Sequence, residues 1–126
     1  PICPVGFSDH HDRAHHDESI AQSQIWIQDH LSKSLSIPDL AAQFGMSTRT
    51  FNRRFIAATG STPNSYLTET RMAFACDLLK NTDLPIVDVA SYSGYPEPSW
   101  FSSRFSQWSG NSPSAYRKTV RAKLFN

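Results

Sequence analysis

Apolar residues recur at helical spacing along most of this chain. Ile20, Ile27 and Leu31 lie seven and four positions apart, and Phe51 and Phe55 are again four apart, so each set shares one face of a helix. The stretch around the two phenylalanines consists otherwise of Thr, Arg and Asn. Little of the later sequence has the alternating pattern of a strand. The pattern predicts an all-α protein.

The first 17 residues have no such period. They read PICPVGFSDHHDRAHHD and combine Pro, Gly, Ser, Asp and His without a helical or strand pattern. Composition of this kind is typical of a connecting segment. We therefore interpret residues 1–17 as a flexible linker or tail.

An internal repeat organises the rest of the chain. Residues 36–66 align with residues 85–116 when one residue is inserted in the second copy after Gly94. Two copies are too few for a solenoid and are typical of a duplicated supersecondary unit. The matching positions are Ile37, Asp39, Leu40, Ala41, Gly45, Phe51, Phe55, Gly60, Pro63 and Tyr66 in the first copy, and Ile86, Asp88, Val89, Ala90, Gly94, Phe101, Phe105, Gly110, Pro113 and Tyr116 in the second.

Each copy has the signals of two short helices joined by a turn. Ser36 is placed to cap the first helix, and Gly45 permits the positive φ that ends a helix in a tight turn. Ser47 can cap the second helix, which Gly60 stops. The order predicts a helix-turn-helix unit. The second copy repeats the plan with Gly94 at the turn, Glu97 as cap and Gly110 as stop.

Charge is distributed unevenly although the net charge is only +1. Residues 1–45 carry two basic and six acidic side chains, whereas residues 46–126 carry ten basic and five acidic side chains. The basic excess therefore coincides with the repeated units. This asymmetry is compatible with a polyanionic partner, although a solvated surface also explains many such biases.

The repeat divides the chain after its tail into three parts. These are a first helix-turn-helix subdomain at residues 18–62, a linker helix at 63–80 and a second helix-turn-helix subdomain at 81–126. A helix over 63–80 is about 27 Å long at about 1.5 Å per residue. The second helices of the two units, predicted at 47–58 and 98–109, could therefore lie about one DNA turn apart, or about 34 Å.

The predicted helix 47–58 carries the side chains best suited to reading bases. Arg49 and Arg53 are four residues apart and Asn52 adjoins them. Arginine can fork onto guanine and asparagine onto adenine, and each good pair contributes about 1–3 kcal/mol of discrimination. A solvated helix face is the alternative, and the position inside a duplicated helix-turn-helix favours readout. Arg54 is predicted to meet a phosphate.

Hydroxyl groups and further arginines supply candidate phosphate contacts. Thr48, Thr50, Ser99 and Ser102 lie near helix N-termini, where exposed N–H groups also favour anions, and helix capping or a solvent-exposed position explains them equally well. Arg104 is a candidate for a phosphate contact. Trp100 suits either a thymine methyl group or packing. Arg71 and Arg117 fit either phosphate contacts or braces between helices through carboxylates such as Asp88 or Asp39.

Other chemistry has weak support. His10, His11, His15 and His16 have the composition of a metal site but lie in a segment with no pattern to fix their geometry. Cys3 has no fixed base beside it. No nucleotide-binding glycine loop, hydrolase motif, membrane span or signal peptide is present in the sequence. We expect no enzymatic activity, no cofactor, no metal and a cytoplasmic location.

The run LAAQFGMSTRTFNRRFIAATGSTPNSYL and its second copy resemble the DNA-binding domain of AraC/XylS transcription regulators over about residues 18–121. The block MSTRTFNRRFIAATGSTP further resembles the subgroup in which this domain follows a ThiJ/PfpI-like, amidotransferase-type domain. The most specific positions of the resemblance are Gly94, Tyr95, Ser99, Phe101, Ser102, Phe105, Gly110, Pro113, Tyr116 and Arg117.

The resemblance implies a seven-helix fold that binds one asymmetric DNA site through two successive major grooves. It places base readout at Arg49, Asn52 and Arg53 in the first unit, and at Ser99, Trp100, Ser102 and Ser103 in the second. Where the family often has arginine, this chain has Ser103, with Arg104 displaced by one position. We therefore expect the first unit to provide most direct readout, and the second to depend more on phosphate contacts and DNA shape.

The same resemblance implies the partners. These are double-stranded DNA at a promoter or operator, RNA polymerase as a further partner, and a companion effector-sensing domain that this chain lacks, in the cytoplasm at the bacterial nucleoid. Two alternatives stay open. One is a helical protein-interaction module that has lost DNA readout, and the other is an enzyme or metal sensor that uses Cys3 and the histidines.

Overall fold

A computed structural model of the chain describes residues 17–124. The described residues form helices without strands, which confirms the predicted all-α class and the predicted number of helices. The tail up to residue 16 and the last two residues lie outside the described part. The seven helices are α1 (Glu18–Asp29), α2 (Ile37–Gln43), α3 (Thr48–Thr59), α4 (Pro63–Asn81), α5 (Ile86–Tyr92), α6 (Pro98–Ser109) and α7 (Pro113–Leu124).

Local side-chain caps fix the ends of several helices as predicted. The Ser36 hydroxyl accepts a hydrogen bond from the backbone N–H of Asp39 at the start of α2, at 3.4 Å. The Ser47 hydroxyl does the same for Thr50 at the start of α3, at 3.1 Å. Glu97 occupies the cap position of α6, but its side chain makes no capping hydrogen bond. Glu97 therefore holds the predicted cap position without a side-chain cap, and Pro98, whose fixed φ suits a first turn, is the first residue of the helix, as predicted.

The turns of the two units match at the level of single hydrogen bonds. Gly45 and Gly94 both have positive φ, at 73° and 93°, a conformation that side-chain-bearing residues rarely adopt. The backbone N–H after each glycine returns to the carbonyl of the matching alanine, from Met46 to Ala41 and from Tyr95 to Ala90, at 2.9 Å in both cases. The duplicated turn predicted from the sequence is confirmed.

The described residues separate into two compact units, one ending at Thr70 and the other beginning at Arg71. This division lies inside α4, so the predicted linker helix contributes its first part to one unit and its second part to the other. In the first unit α1 and α2 pack against α3. Phe55 is fully buried there and meets the rings of Phe51 and Tyr66 edge-on, with centroids 5.6 and 5.4 Å away.

The second unit repeats this core on α6, which packs against α5 and α7. Phe101 and Phe105 are fully buried, and the Phe105 ring meets Tyr116 of α7 edge-on at 5.5 Å. The second helix of each unit, α3 or α6, is therefore anchored by a pair of inward phenylalanines. The other core members of the second unit are Met72, Ala75, Cys76, Leu79, Val89, Ala90 and Tyr95.

Two arginines of α7 hold the C-terminal end of α4. The Arg117 Nε donates to the Leu79 carbonyl at 3.0 Å, and Arg121 donates to the carbonyl of Thr82. Arg121 also pairs with the Asp83 carboxylate at 2.6 Å. Cations at a helix C-terminus satisfy its free carbonyls and oppose the negative end of the helix dipole. These residues stabilise the second unit.

Replacing Asp83 with asparagine should lower stability slightly at neutral pH and leave it unchanged in strong acid. The Arg121 guanidinium lowers the pKa of Asp83 in the folded state. The pair therefore stabilises the fold above the ordinary aspartate pKa of about 3.9, and this contribution is lost as the pH falls through the lower folded value. The carboxylate is exposed, so we expect a small shift. Urea midpoints measured from pH 7 to pH 2.5 test this.

Asp77→Asn is the control for this pH series, because Asp77 is exposed on α4 and forms no ion pair with a described residue. Its midpoint should run parallel to that of the parent at every pH. A variant at position 83 that also ran parallel to the parent would show that the ion pair contributes nothing to folding.

Candidate nucleic-acid interface

The first candidate surface lies on α3, opposite its buried phenylalanines. Because Phe51 and Phe55 are fully buried, the intervening positions turn toward solvent. Arg49 and Arg53 are exposed and Asn52 is half-buried. Neither arginine forms an ion pair with any residue that the structure describes. All three side chains that were predicted to read bases in this unit therefore lie on α3. Their guanidinium and amide groups are accessible to a ligand.

The N-terminal turn of α3 presents hydroxyl groups beside this surface. Thr48 and Thr50 are half-buried. The Ser47 hydroxyl accepts from the Thr50 backbone N–H and donates to Thr50 Oγ1, both at 3.1 Å. The Thr50 hydroxyl thus serves as an acceptor within the cap and keeps its own hydrogen for a further acceptor. An anion at this turn would meet hydroxyl groups together with the positive end of a helix dipole.

Arg54 differs from its neighbours on α3. Its Nη2 donates to Asp17 Oδ1 at 2.7 Å and its Nε donates to Asp17 Oδ2 at 3.0 Å. This bidentate hydrogen bonding raises the pKa of Arg54 still further. Asp17 also accepts from the N–H of Ile20 at 3.3 Å and so caps α1. The sequence predicted a phosphate contact for Arg54, but in the structure a carboxylate occupies its guanidinium.

The second candidate surface lies on α6 and has a different chemistry. Ser99, Ser103 and Arg104 are exposed, and Ser102 is half-buried. Trp100 is 48% exposed. Arg104 forms no ion pair with a described residue. This surface therefore offers hydroxyl groups, one indole and one guanidinium where α3 offers two guanidinium groups and an amide.

Trp100 packs against a buried ring and still has about half of its surface in solvent. Its ring meets Tyr95 edge-on, with centroids 5.1 Å apart, while Tyr95 itself is buried. The sequence left open whether Trp100 packs or contacts a ligand, and the structure shows that it does pack and still presents nearly half of its surface. It can therefore contact a ligand in a defined orientation.

Arg71 lies inside the second unit rather than on its surface. Its guanidinium lies over the Tyr95 ring, 5.6 Å from the centroid, and the residue is 9% exposed. Burial lowers the pKa of Arg71, and the contact with Tyr95 opposes that effect. The sequence left open whether Arg71 and Arg117 contact phosphates or brace the helices. The ring contact of Arg71 and the hydrogen bond from Arg117 to the Leu79 carbonyl decide between the two. Both arginines brace the fold, Arg71 against an aromatic ring and Arg117 through a backbone carbonyl.

Metal and membrane chemistry have no support within the described part of the chain. Between residues 17 and 124 no group of three His, Cys, Asp or Glu side chains is arranged to hold a metal ion. The candidate residues Cys3, His10, His11, His15 and His16 lie outside this range. No described helix is both long enough and apolar enough to span a bilayer.

Comparison with known proteins gives matches over most of the chain. Residues 40–119 match the family model described as a helix-turn-helix domain. The transcriptional activator RhaS of Klebsiella pneumoniae is 34% identical over 89 residues, which is 71% of this chain and 32% of that protein. The MmsAB operon regulatory protein of Pseudomonas aeruginosa is 36% identical over 96 residues, or 76% and 31%. The chain spans about a third of the length of these relatives.

Two solved structures share the fold. One is the DNA-binding domain of AdpA, a global transcriptional factor, in complex with a target DNA, with a TM-score of 0.80, 36% identity, and coverage of 85% of this chain and 96% of that chain. The other is the C-terminal domain of AraT, a response regulator from Geobacillus stearothermophilus, with a TM-score of 0.79, 30% identity, and coverage of 85% and 88%.

Proposed function

This chain belongs to the AraC-type helix-turn-helix family, and on that premise we propose that it binds double-stranded DNA sequence-specifically as the DNA-binding part of a bacterial transcription regulator. One observation carries the proposal. The helix α3 is anchored by two buried phenylalanines and presents Arg49, Asn52 and Arg53 outward, without ion pairs to described residues. The AdpA domain, solved with its target DNA, supports it.

Readout by the first unit follows from the chemistry of α3. We propose that this helix enters a major groove, which admits an α-helix and displays a distinct pattern for each base pair. Arg49 and Arg53 would each fork onto guanine O6 and N7, and Asn52 onto adenine N6 and N7. Thr48 and Thr50 would donate to flanking phosphates and fix the register of the helix without reading sequence.

The second unit would enter the adjacent major groove through α6. Its base-facing candidates are Ser99, Trp100, Ser102 and Ser103, and Arg104 would meet a phosphate. A serine hydroxyl can pair with more than one base, and an indole can contact a thymine methyl group. We therefore propose that this unit discriminates weakly by direct contacts and contributes through backbone contacts and DNA shape.

The remainder of the proposal concerns a whole regulator, since this chain spans about a third of the length of its relatives. A companion domain, of the ThiJ/PfpI-like type suggested by the block at residues 46–63, would sense an effector. RNA polymerase would be the protein partner at the promoter. The regulator would act in the cytoplasm at the nucleoid and would carry no catalytic activity in this part.

The function is tested by selecting binders from randomised duplex DNA and measuring their affinity across salt concentrations. We expect one preferred asymmetric sequence, and an affinity that falls linearly on a log–log plot as salt increases. Arg104→Gln should reduce the slope by about 0.9, because one phosphate contact is lost. Gln107→Ala, an exposed change on the same helix, is the control and should leave the slope unchanged.

A helical protein-interaction module is the second candidate, favoured by the exposed Trp100 and the serine-rich surface of α6. Such a module would show no preference among the selected duplexes and only weak, sequence-independent retention of DNA. The same selection therefore separates the two functions.

A further inference from the structure

The repeat places an arginine at the same position of α3 and α6, yet the two arginines have different surroundings. Arg54 directly precedes the buried Phe55 on α3, and Arg104 directly precedes the buried Phe105 on α6. Arg104 is exposed and pairs with no described carboxylate. Arg54 is held by Asp17. The pairing is therefore specific to the first unit and is not a general property of this helix position.

All three nitrogens of the Arg54 guanidinium have partners. Nε and Nη2 donate to the two oxygens of Asp17, at 3.0 and 2.7 Å, and Nη1 lies 3.6 Å from the sulfur of Met46. Only 39% of the Arg54 side chain and 21% of the Asp17 side chain are exposed. A fork that engages both carboxylate oxygens is the same geometry by which arginine holds a phosphate. A phosphate could therefore take this Nε–Nη2 fork only by displacing Asp17.

We propose that Asp17 limits sequence-independent affinity by withholding Arg54 from the DNA backbone. The inference rests on the proposed DNA-binding function. Phosphate contacts supply most sequence-independent affinity, whereas base contacts distinguish the cognate site. By occupying one guanidinium of α3, Asp17 removes a contact that would strengthen binding to every sequence equally. The readout groups Arg49, Asn52 and Arg53 then account for a larger share of the binding free energy.

Asparagine at position 17 separates this role from helix capping. Asp17 caps α1 through Oδ1, and asparagine is about as good a cap as aspartate. Asp17→Asn therefore keeps the cap and removes the charge that holds Arg54. Glu18→Gln is the matched control, because it also removes a negative charge at the start of α1. Glu18 accepts a hydrogen bond from Gln22 and forms no ion pair with a described arginine.

The experiment measures binding to a nonspecific duplex and to the selected site for five proteins: the parent, Asp17→Asn, Glu18→Gln, Arg54→Gln and the double variant Asp17→Asn/Arg54→Gln. Asp17→Asn should steepen the salt slope of binding to the nonspecific duplex by about 0.9 relative to Glu18→Gln. Between about 50 and about 200 mM salt, its affinity should therefore fall by a factor about threefold larger. Because the added contact strengthens binding to both duplexes alike, its preference for the selected site should stay unchanged. Arg54→Gln alone should leave the slope of the parent unchanged, and the double variant should return to it.

Three results would overturn the inference. One is a flatter slope for Arg54→Gln in the parent background, which would make Arg54 a phosphate ligand already. Another is equal slopes for Asp17→Asn and Glu18→Gln. The third is a double variant as steep as Asp17→Asn, which would assign the effect to lost negative charge alone. A parent protein with no sequence preference would instead contradict the proposed function, so the two failures are distinguishable. Circular dichroism confirms that each variant is folded.

Discussion

Replacing Phe55 with alanine is expected to destabilise the first unit by about 3–5 kcal/mol, the cost typical of removing a fully buried phenylalanine. The ring is fully buried and contacts both Phe51 and Tyr66 edge-on. Its removal takes away these aromatic contacts and leaves a cavity beneath α3, which the fixed helices can only partly close. Urea unfolding followed by circular dichroism, or by hydrogen exchange of α3 amides, measures the loss.

Ile56→Ala is the control for this change, because Ile56 is the next residue on the same helix and is 46% exposed. Its effect should be within about 0.5 kcal/mol, as for most surface substitutions. If alanine at position 55 cost no more than alanine at 56, α3 would not be anchored by its phenylalanines. The outward direction of its arginines would then have no structural basis.

The helices were predictable because the signals that begin and end them are local. The second helices were predicted at residues 47–58 and 98–109, and are observed at Thr48–Thr59 and Pro98–Ser109. A serine cap and a glycine of positive φ act within three or four residues, so the sequence contains them directly. The repeat then supplied the arrangement, because each signal appeared twice in the same order.

The pairing of individual arginines was not predictable, because it depends on how helices distant in sequence pack. Arg54 meets Asp17, 37 positions earlier, and Arg117 meets a carbonyl 38 positions earlier. From the sequence we assigned Asp17 to a tail, and therefore missed it as the partner of Arg54. We considered only carboxylates as braces, and therefore missed the carbonyl that accepts from Arg117. A weak signal for Arg54 was present in the sequence. Of the three arginines in helix 47–58, Arg54 alone directly precedes a phenylalanine.

The two units illustrate how one duplicated scaffold carries two chemistries. The buried positions are nearly identical, since the phenylalanines and the turn glycine recur in both copies. The outward positions have diverged, from Arg49 and Arg53 on α3 to Ser99 and Ser103 on α6. Core positions are restricted by packing, whereas outward positions are restricted only by what they bind. Stability and the proposed readout therefore depend on separate residues, and substitutions can test them separately.

Arg53→Ala is expected to weaken binding to the selected site by about 1–3 kcal/mol, or about 5- to 150-fold, and to relax the preference at one base position. Arg53 is exposed, forms no ion pair with a described residue, and lies one helical turn from Arg49 on the same side of α3. Its fork can satisfy guanine O6 and N7 together, so alanine would leave both acceptors without a protein partner. Affinities for all single-base variants of the site measure this.

Two further substitutions distinguish base readout from charge. Arg53→Lys keeps the positive charge but loses the planar fork, so it should relax the same base position while preserving the salt slope. Arg104→Ala should weaken all sequences about equally and flatten the slope, because its proposed contact is a phosphate. If Arg53→Ala instead bound every sequence as tightly as the parent does, Arg53 would be a solvated side chain. Base recognition by α3 would then have to depend on Arg49 and Asn52 alone.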